Sequence, residues 1–153
     1  MQIPLEPGYA QVYASPTGGY VIQHETHDGQ EAHDNLFIAR MLADLGEKIK
    51  LLAVNETPGA KNPDATINGV LWEFKTLQSP SVNALDKAIQ RGKKQAANIL
   101  VHAPAVMSAG ALQQSIFDRV QRSPGIAKIR VLHQGQVQEF TRAEILAPRF
   151  RLK

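Results

Sequence analysis

Asn68-Gly69, set between two runs of alternating residues, constrains this chain more than any other feature. A two-residue hairpin closed by a type I′ turn needs positive φ at both central positions, and Asn-Gly is the pair that supplies it most readily. Such a turn fixes the register around it. Ile67 opposes Val70, Thr66 opposes Leu71, Ala65 opposes Trp72 and Asp64 opposes Glu73. Directly opposed residues of an antiparallel pair share a face, with Cβ atoms about 4.5–5.5 Å apart. The side-chain period of two then sends Leu71, Glu73, Lys75 and Leu77 to one face, and Val70, Trp72, Phe74 and Thr76 to the other.

That register sets two carboxylates face to face, with a lysine two residues along on the same side. Like charges directly opposed destabilise a sheet, and no arginine stands beside either acid in sequence. A divalent cation relieves both. Magnesium takes hard oxygen ligands from one or two carboxylates and keeps its other positions for water and substrate phosphate. A bound ion polarises a phosphoryl oxygen and generates hydroxide near neutral pH, while a neighbouring ammonium positions the water or steadies developing charge. Phosphodiester cleavage is the chemistry this pattern suits, and a solvated surface hairpin is the plainer alternative.

The residues that carry this pattern also carry a likeness. Pro63-Asp64, eight residues, then Glu73-x-Lys75 resembles the PD-(D/E)XK nuclease superfamily, whose members place these residues on a hairpin of a mixed sheet. The longer run "PDATINGVLWEFKT", followed by a polar helix with "KKQAANIL" and a hydrophobic strand, resembles the C-terminal nuclease domains of contact-dependent growth inhibition toxins. The likeness runs from about Gly18 to Val101, with a weaker match in the C-terminal hairpin. It implies an α/β fold with a mixed twisted central sheet flanked by helices, a restriction-endonuclease-like core. It further implies a metal-dependent nuclease acting on RNA, transfer RNA in particular, in interbacterial competition. Magnesium is the implied cofactor, with manganese or zinc as alternatives, and a cognate immunity protein is the implied partner. The resemblance also implies a helical acid, often followed by Asn, and a glutamine of the following helix beside the catalytic acids.

Length and composition bound these readings. At 153 residues, 43% hydrophobic and 20% charged, the chain reads as one globular domain, residues 18–153, behind a leader or junction at 1–17. The absence of cysteine excludes disulfides and thiolate metal sites. No run approaches a membrane span, and the N-terminus lacks the pattern of a signal peptide. That fits a toxin module excised from a longer chain and equally a plain cytoplasmic protein; the resemblance implies the first, delivered into a target bacterium's cytoplasm as part of a larger secreted or cell-surface protein. Charge is lopsided. Residues 1–60 hold three Lys/Arg against eight acids, a balance of −5, whereas residues 61–153 hold fourteen against six, a balance of +8. Such asymmetry points toward nucleic acid, since contacts from Lys and Arg to phosphate supply most non-specific affinity.

Along the chain, Gln11-Val12-Tyr13 and Tyr20-Val21-Ile22 are β-like pieces. His24, Glu25, His27 and Asp28 crowd a loop, with His33 soon after, but they lack the helical pairing of a zinc site. A histidine there as general base would serve metal-free RNA cleavage. Residues 30–45 read as a helix with Leu36, Ala39, Ala43, Ile38, Leu42 and Leu45 on its apolar face and Gly46 as its stop. Glu31, Asp34, Asn35 and Ile38 share one stripe. Asp34-Asn35 matches the dipeptide of the resembling family, Glu31 has the right residue type, and Asp28-x-x-Glu31 also reads as a capping box.

Residues 49–54 read as a strand. Ser81 caps a helix expected over residues 82–97, with Lys87, Arg91, Lys94 and Asn98 as a basic outer stripe for a phosphate backbone and Gln95 on the side facing the sheet. Residues 99–103 form a further strand, reached by a β-α-β crossover. Ser108 caps a helix over about 109–122. Residues 128–133 and 136–141 form a second hairpin about Gln134-Gly135, and Thr141 to Glu144 starts a last helical turn. The basic tail, residues 149–153, reads as frayed.

Together these readings assign a metal site of Asp64 and Glu73 with Glu31 (or Asp34), Lys75 beside it, Gln95 in support, and Lys87, Arg91 and Lys94 on the nucleic-acid backbone. Two rivals stand beside it. One is a DNA-cleaving enzyme of the restriction or repair kind. The other is a non-catalytic nucleic-acid-binding or phage-structural module of the same fold.

Overall fold

The computed structural model describes residues 5–153; residues 1–4 of the expected leader lie outside the described residues. The chain divides into two compact units between Leu71 and Trp72.

In the first unit, β1 (Tyr9–Ala14) pairs antiparallel with β2 (Tyr20–His24), and the register shifts between Gln11 and Tyr13. This strand occupies residues that the sequence assigns to a leader. β2 runs parallel to β3 (Lys48–Leu51), and β3 pairs antiparallel with β4 (Ala65–Ile67). The parallel step is bridged by α1 (Gly29–Asp44), whose Ala32, Ile38, Ala39, Leu42 and Ala43 are buried with Val21, Ile49 and Leu51. Close packing here depends on Gly19. A Cβ at that position would stand 1.9 Å from the Ala43 carbonyl oxygen.

α1 ends as expected. Gly46 takes a φ of +92° and donates its N–H to Ala43, while Glu47 donates to Leu42. Two details differ from expectation. Leu45 lies past the last helical turn and is 65% exposed. Asp28 is the N-cap residue but makes no side-chain cap hydrogen bond, so the capping box with Glu31 does not form. β3 stops at Leu51, short of Val54, because the chain turns out of the ladder once Leu52 N–H has donated to the Asp64 carbonyl.

In the second unit, β5 (Val70–Thr76, its first two residues in the first unit), β6 (Asn98–His102) and β7 (Lys128–His133) run parallel, and β8 (Gln136–Thr141) closes the set antiparallel. α2 (Val82–Gly92) and α3 (Ala109–Gln121) make the two crossovers, and a short α4 (Arg142–Leu146) follows β8. Ser81 and Ser108 cap their helices through the N–H groups of Ala84 and Ala111, each at 3.0 Å. The Thr141–Glu144 capping box starts α4.

Leu85, Ile89, Ile99, Val101, Leu112, Ile116, Ile129 and Val131 share one core, so α2 and α3 cover the sheet face that bears Ile99 and Ile129. Phe150 and Leu152 belong to the same core. The tail is therefore not frayed: the Phe150 ring meets Phe140 edge-on at 5.0 Å, and Leu152 N–H donates to Gln113. α2 also ends sooner than expected, at Gly92, and residues 93–95 form a turn. Each unit is thus a mixed α/β assembly, a mixed sheet packed with one helix in the first unit and with three in the second. Among the described residues no helix is long and apolar enough to cross a membrane.

Candidate functional site

The turn on which the reading depends has the backbone it requires. Asn68 and Gly69 sit at φ +49° and +87°, β4 ends one residue before them and β5 begins one residue after. Asn68 is held in place by its own side chain, which accepts from Lys48 N–H at 2.9 Å.

In the first unit, Glu31 and Asp64 come together. Glu31 occupies the first turn of α1, Asp64 immediately precedes β4, and each offers a carboxylate oxygen within 4.8 Å of the other. Both line a cleft of about 240 Å³. Asp64 is 7% exposed and its position is fixed from both sides. Its carbonyl accepts from Leu52, which prolongs the β3–β4 ladder by one step, and the preceding loop is clasped by Asn62, whose amide accepts from Asn55 N–H at 2.6 Å and donates to Asn55 O at 3.0 Å. Asp34, the alternative helical acid, does not line this cleft. The helical position beside Asp64 belongs to Glu31.

The same cleft is lined by His27 and Asn35, which the sequence offered separately and not as a pair. His27 Nδ1–H donates to the Leu52 carbonyl at 2.9 Å, and its Nε2 accepts from the Asn35 amide at 3.2 Å. Both ring nitrogens are thus used, and the ring lines the cleft together with Asn35, which is 2% exposed. The signal was present in the spacing, since Glu31 and Asn35 are i, i+4 on α1. His24 is likewise engaged: its Nδ1 accepts from Thr26 N–H at 3.1 Å, and its ring meets Tyr9 edge-on.

In the second unit, Glu73 and Lys75 point to one face of β5, as the alternation requires. Glu73 is in register with Ile99 and Lys75 with Val101, on the side covered by α2 and α3. Their side chains form an ion pair of 3.3 Å, with Glu73 nearly buried and Lys75 a quarter exposed. Trp72 lies on the opposite face with Arg130 above its ring.

Two expectations are corrected in this unit. Gln95 is not on a helix: it lies in the turn beyond α2, its N–H donating to Gly92 O at 2.9 Å. The basic stripe is broken for the same reason. Lys87 and Arg91 are exposed on α2, but Lys94 lies past its end and Asn98 opens β6. Gly92 ends the helix at a close approach, where a Cβ would stand 3.3 Å from Ile99.

The donor set fits a hard divalent cation. It consists of carboxylate oxygens with no sulfur, in a polar cleft, and the buried histidine is already committed to other partners.

Comparison with known proteins places these features in context. The family model for the contact-dependent growth inhibition CdiA C-terminal domain matches residues 61–137, which span Asp64, the Asn-Gly turn, Glu73, Lys75 and the helices and strands as far as β8. A chain of the CdiA-CT/CdiI toxin and immunity complex from Burkholderia pseudomallei is similar in structure, with a TM-score of 0.55 and 24% identity, covering 72% of this chain and 83% of that one. At that identity the likeness is one of fold. No curated protein matches the chain.

Proposed function

This chain belongs to the CdiA C-terminal domain family of contact-dependent growth inhibition, toxin domains of interbacterial competition, and on that footing we propose that it is a metal-dependent nuclease of PD-(D/E)XK type that cleaves RNA, transfer RNA foremost. The observation that carries the reading is the Glu31–Asp64 carboxylate pair in its cleft, one strand end away from an Asn-Gly turn. Counting outward from that turn sets Glu73 opposite Asp64. On that register Glu73 joins Glu31 and Asp64 as the acids proposed to hold the ion.

A divalent cation bound to them supplies Lewis-acid polarisation of the phosphoryl oxygen and a water of lowered pKa. The chain's own residues do the rest. Asp64, anchored through its backbone to Leu52, presents its carboxylate with little freedom to turn away. Lys75, paired with Glu73 and partly open to solvent, offers an ammonium that orients the attacking water and steadies the charge growing on the pentacovalent phosphorus. Gln95, no longer on a helix, is proposed as an accessory group. Lys87 and Arg91 remain candidates for backbone contacts, joined by Lys94 from the turn.

The cognate partner we propose is an immunity protein that blocks the cleft; the solved relative is itself a toxin and immunity complex. Action takes place in the cytoplasm of the target cell, after delivery as part of a larger protein.

Incubation of the purified chain with labelled transfer RNA and with supercoiled plasmid, each with magnesium or with a chelator, tests the proposal. Transfer RNA is cut only with magnesium, and Asp64→Ala or Lys75→Met lowers the rate by about 10²–10³. Cleavage that survives chelation sinks the metal mechanism. Cleavage of plasmid alone transfers the assignment to DNA.

A further inference from the structure

We propose that Lys93 and Arg142 form a binding site for a phosphate of the nucleic-acid backbone, on the second unit and at the same end of its sheet as Glu73. The identity of the ligand rests on the nuclease reading above.

The geometry centres on Ser123, which is fully buried. Lys93, just past the end of α2, donates from Nζ to the Ser123 hydroxyl at 3.4 Å. Arg142 donates from one guanidinium nitrogen to the carbonyls of Ser123 at 2.7 Å and Ile126 at 3.3 Å, and its backbone N–H donates to Ala127 O. Two cations thus converge on one residue, and neither meets a carboxylate among the described residues. Elsewhere in this unit the acids are used: Glu73 pairs with Lys75, Asp86 with Arg119 and Glu139 with Arg130. Like charges held together cost free energy that a shared anion returns. An ammonium beside a planar guanidinium is a combination that suits phosphate, the first as a point charge and the second as a fork.

Position selects the source of that phosphate. The loop holding Ser123 leads through Ala127 into β7, whose Ile129 is in register with Ile99, itself in register with Glu73. Two strand spacings, roughly 10 Å, separate that row of β7 from Glu73. One bound backbone can reach both.

Fluorescence anisotropy of labelled transfer RNA in chelator, where binding is read without cleavage, tests the site. The paired substitution Lys93→Gln/Arg142→Gln weakens binding about tenfold near 0.1 M salt and reduces the slope of log K against log salt by roughly 0.7–0.9, the share of one phosphate. Lys93→Glu alone, at an exposed position, moves affinity the same way and guards against a loop disturbed by losing Arg142. Wild-type affinity and slope in both variants overturn the proposal, as does a wild type that binds no RNA. A thermal shift with inorganic phosphate forms the second arm. Stabilisation by phosphate that the variants lose, with RNA affinity intact, assigns the site to free phosphate and overturns the backbone reading. Loss of binding only to an acidic protein partner overturns it in favour of a protein interface. The nuclease reading fails separately, in the cleavage assay, whatever the binding curves show.

Discussion

Replacing Asp64 by Asn should make the protein more stable in chelator and indifferent to magnesium. Asn keeps the shape of the side chain and removes one of two facing charges. With oxygens within 4.8 Å of each other, the Glu31–Asp64 repulsion is at least about 3.5 kcal/mol at an effective dielectric of 20 and at least about 0.9 kcal/mol at that of water. Glu31 is exposed and Asp64 is buried, so the value falls toward the lower end, about 1 kcal/mol. For a domain of this size that corresponds to a rise in Tm of roughly 2–4 °C. Magnesium then reverses the order of the two proteins. At a hundredfold excess over its Kd, an ion bound to the native state alone adds about 2.7 kcal/mol, or roughly 5–10 °C, to the wild type. Asp64→Asn gains little. Differential scanning fluorimetry in chelator and across a magnesium titration reads both effects. A variant that melts below the wild type in chelator, or one that keeps the full magnesium shift, refutes the claim that these two acids share an ion.

Gly19→Ala should cost about 3 kcal/mol or more in urea unfolding, because the new methyl would lie 1.9 Å from the backbone carbonyl of Ala43 and the end of α1 would have to move; a loss under 1 kcal/mol contradicts that packing. Asp86, whose carboxyl is held below its usual range first by the hydrogen bonds of Arg119, should contribute about 1 kcal/mol to stability at neutral pH, in a pair that is partly exposed. A depressed carboxylate stabilises fully above its unfolded range, near pH 4, and loses that contribution as pH falls through the lowered value. The stability gap between wild type and Asp86→Asn should therefore be constant from pH 5 to 7 and close on acidification, a profile that urea titrations across that range would measure.

What the sequence discloses here tracks how local each cause is. Both Asn68-Gly69 and Gln134-Gly135 were legible as turns because two adjacent left-handed residues are a demand of the backbone itself, met at φ values of +49° and +87° in one and +52° and +77° in the other. Ser81, Ser108 and Thr141 were legible as caps for the same reason. The end of α2 was not, because Gly92 is buried against Ile99, a residue of the next strand. That one misplaced boundary displaced Gln95 and Lys94 together. The tail was misjudged similarly: Phe150 and Leu152 alternate as strand-like apolar residues, but only the grooves left by α3 and β8 show where they go. That Glu31 and not Asp34 lines the cleft with Asp64 depends on the loop before β4, which no helical wheel contains.

Glu31 lies well upstream of the stretch that matches the family, residues 61–137. Grafting that stretch from one relative onto another would carry Asp64, the turn, Glu73 and Lys75 across as a block, yet leave the helical acid with the recipient. On the proposed assignment of Glu31 as a metal ligand, chimeras of this kind would be active only where the host scaffold places a carboxylate one turn into its first helix, which sets a limit on how freely such segments can be recombined.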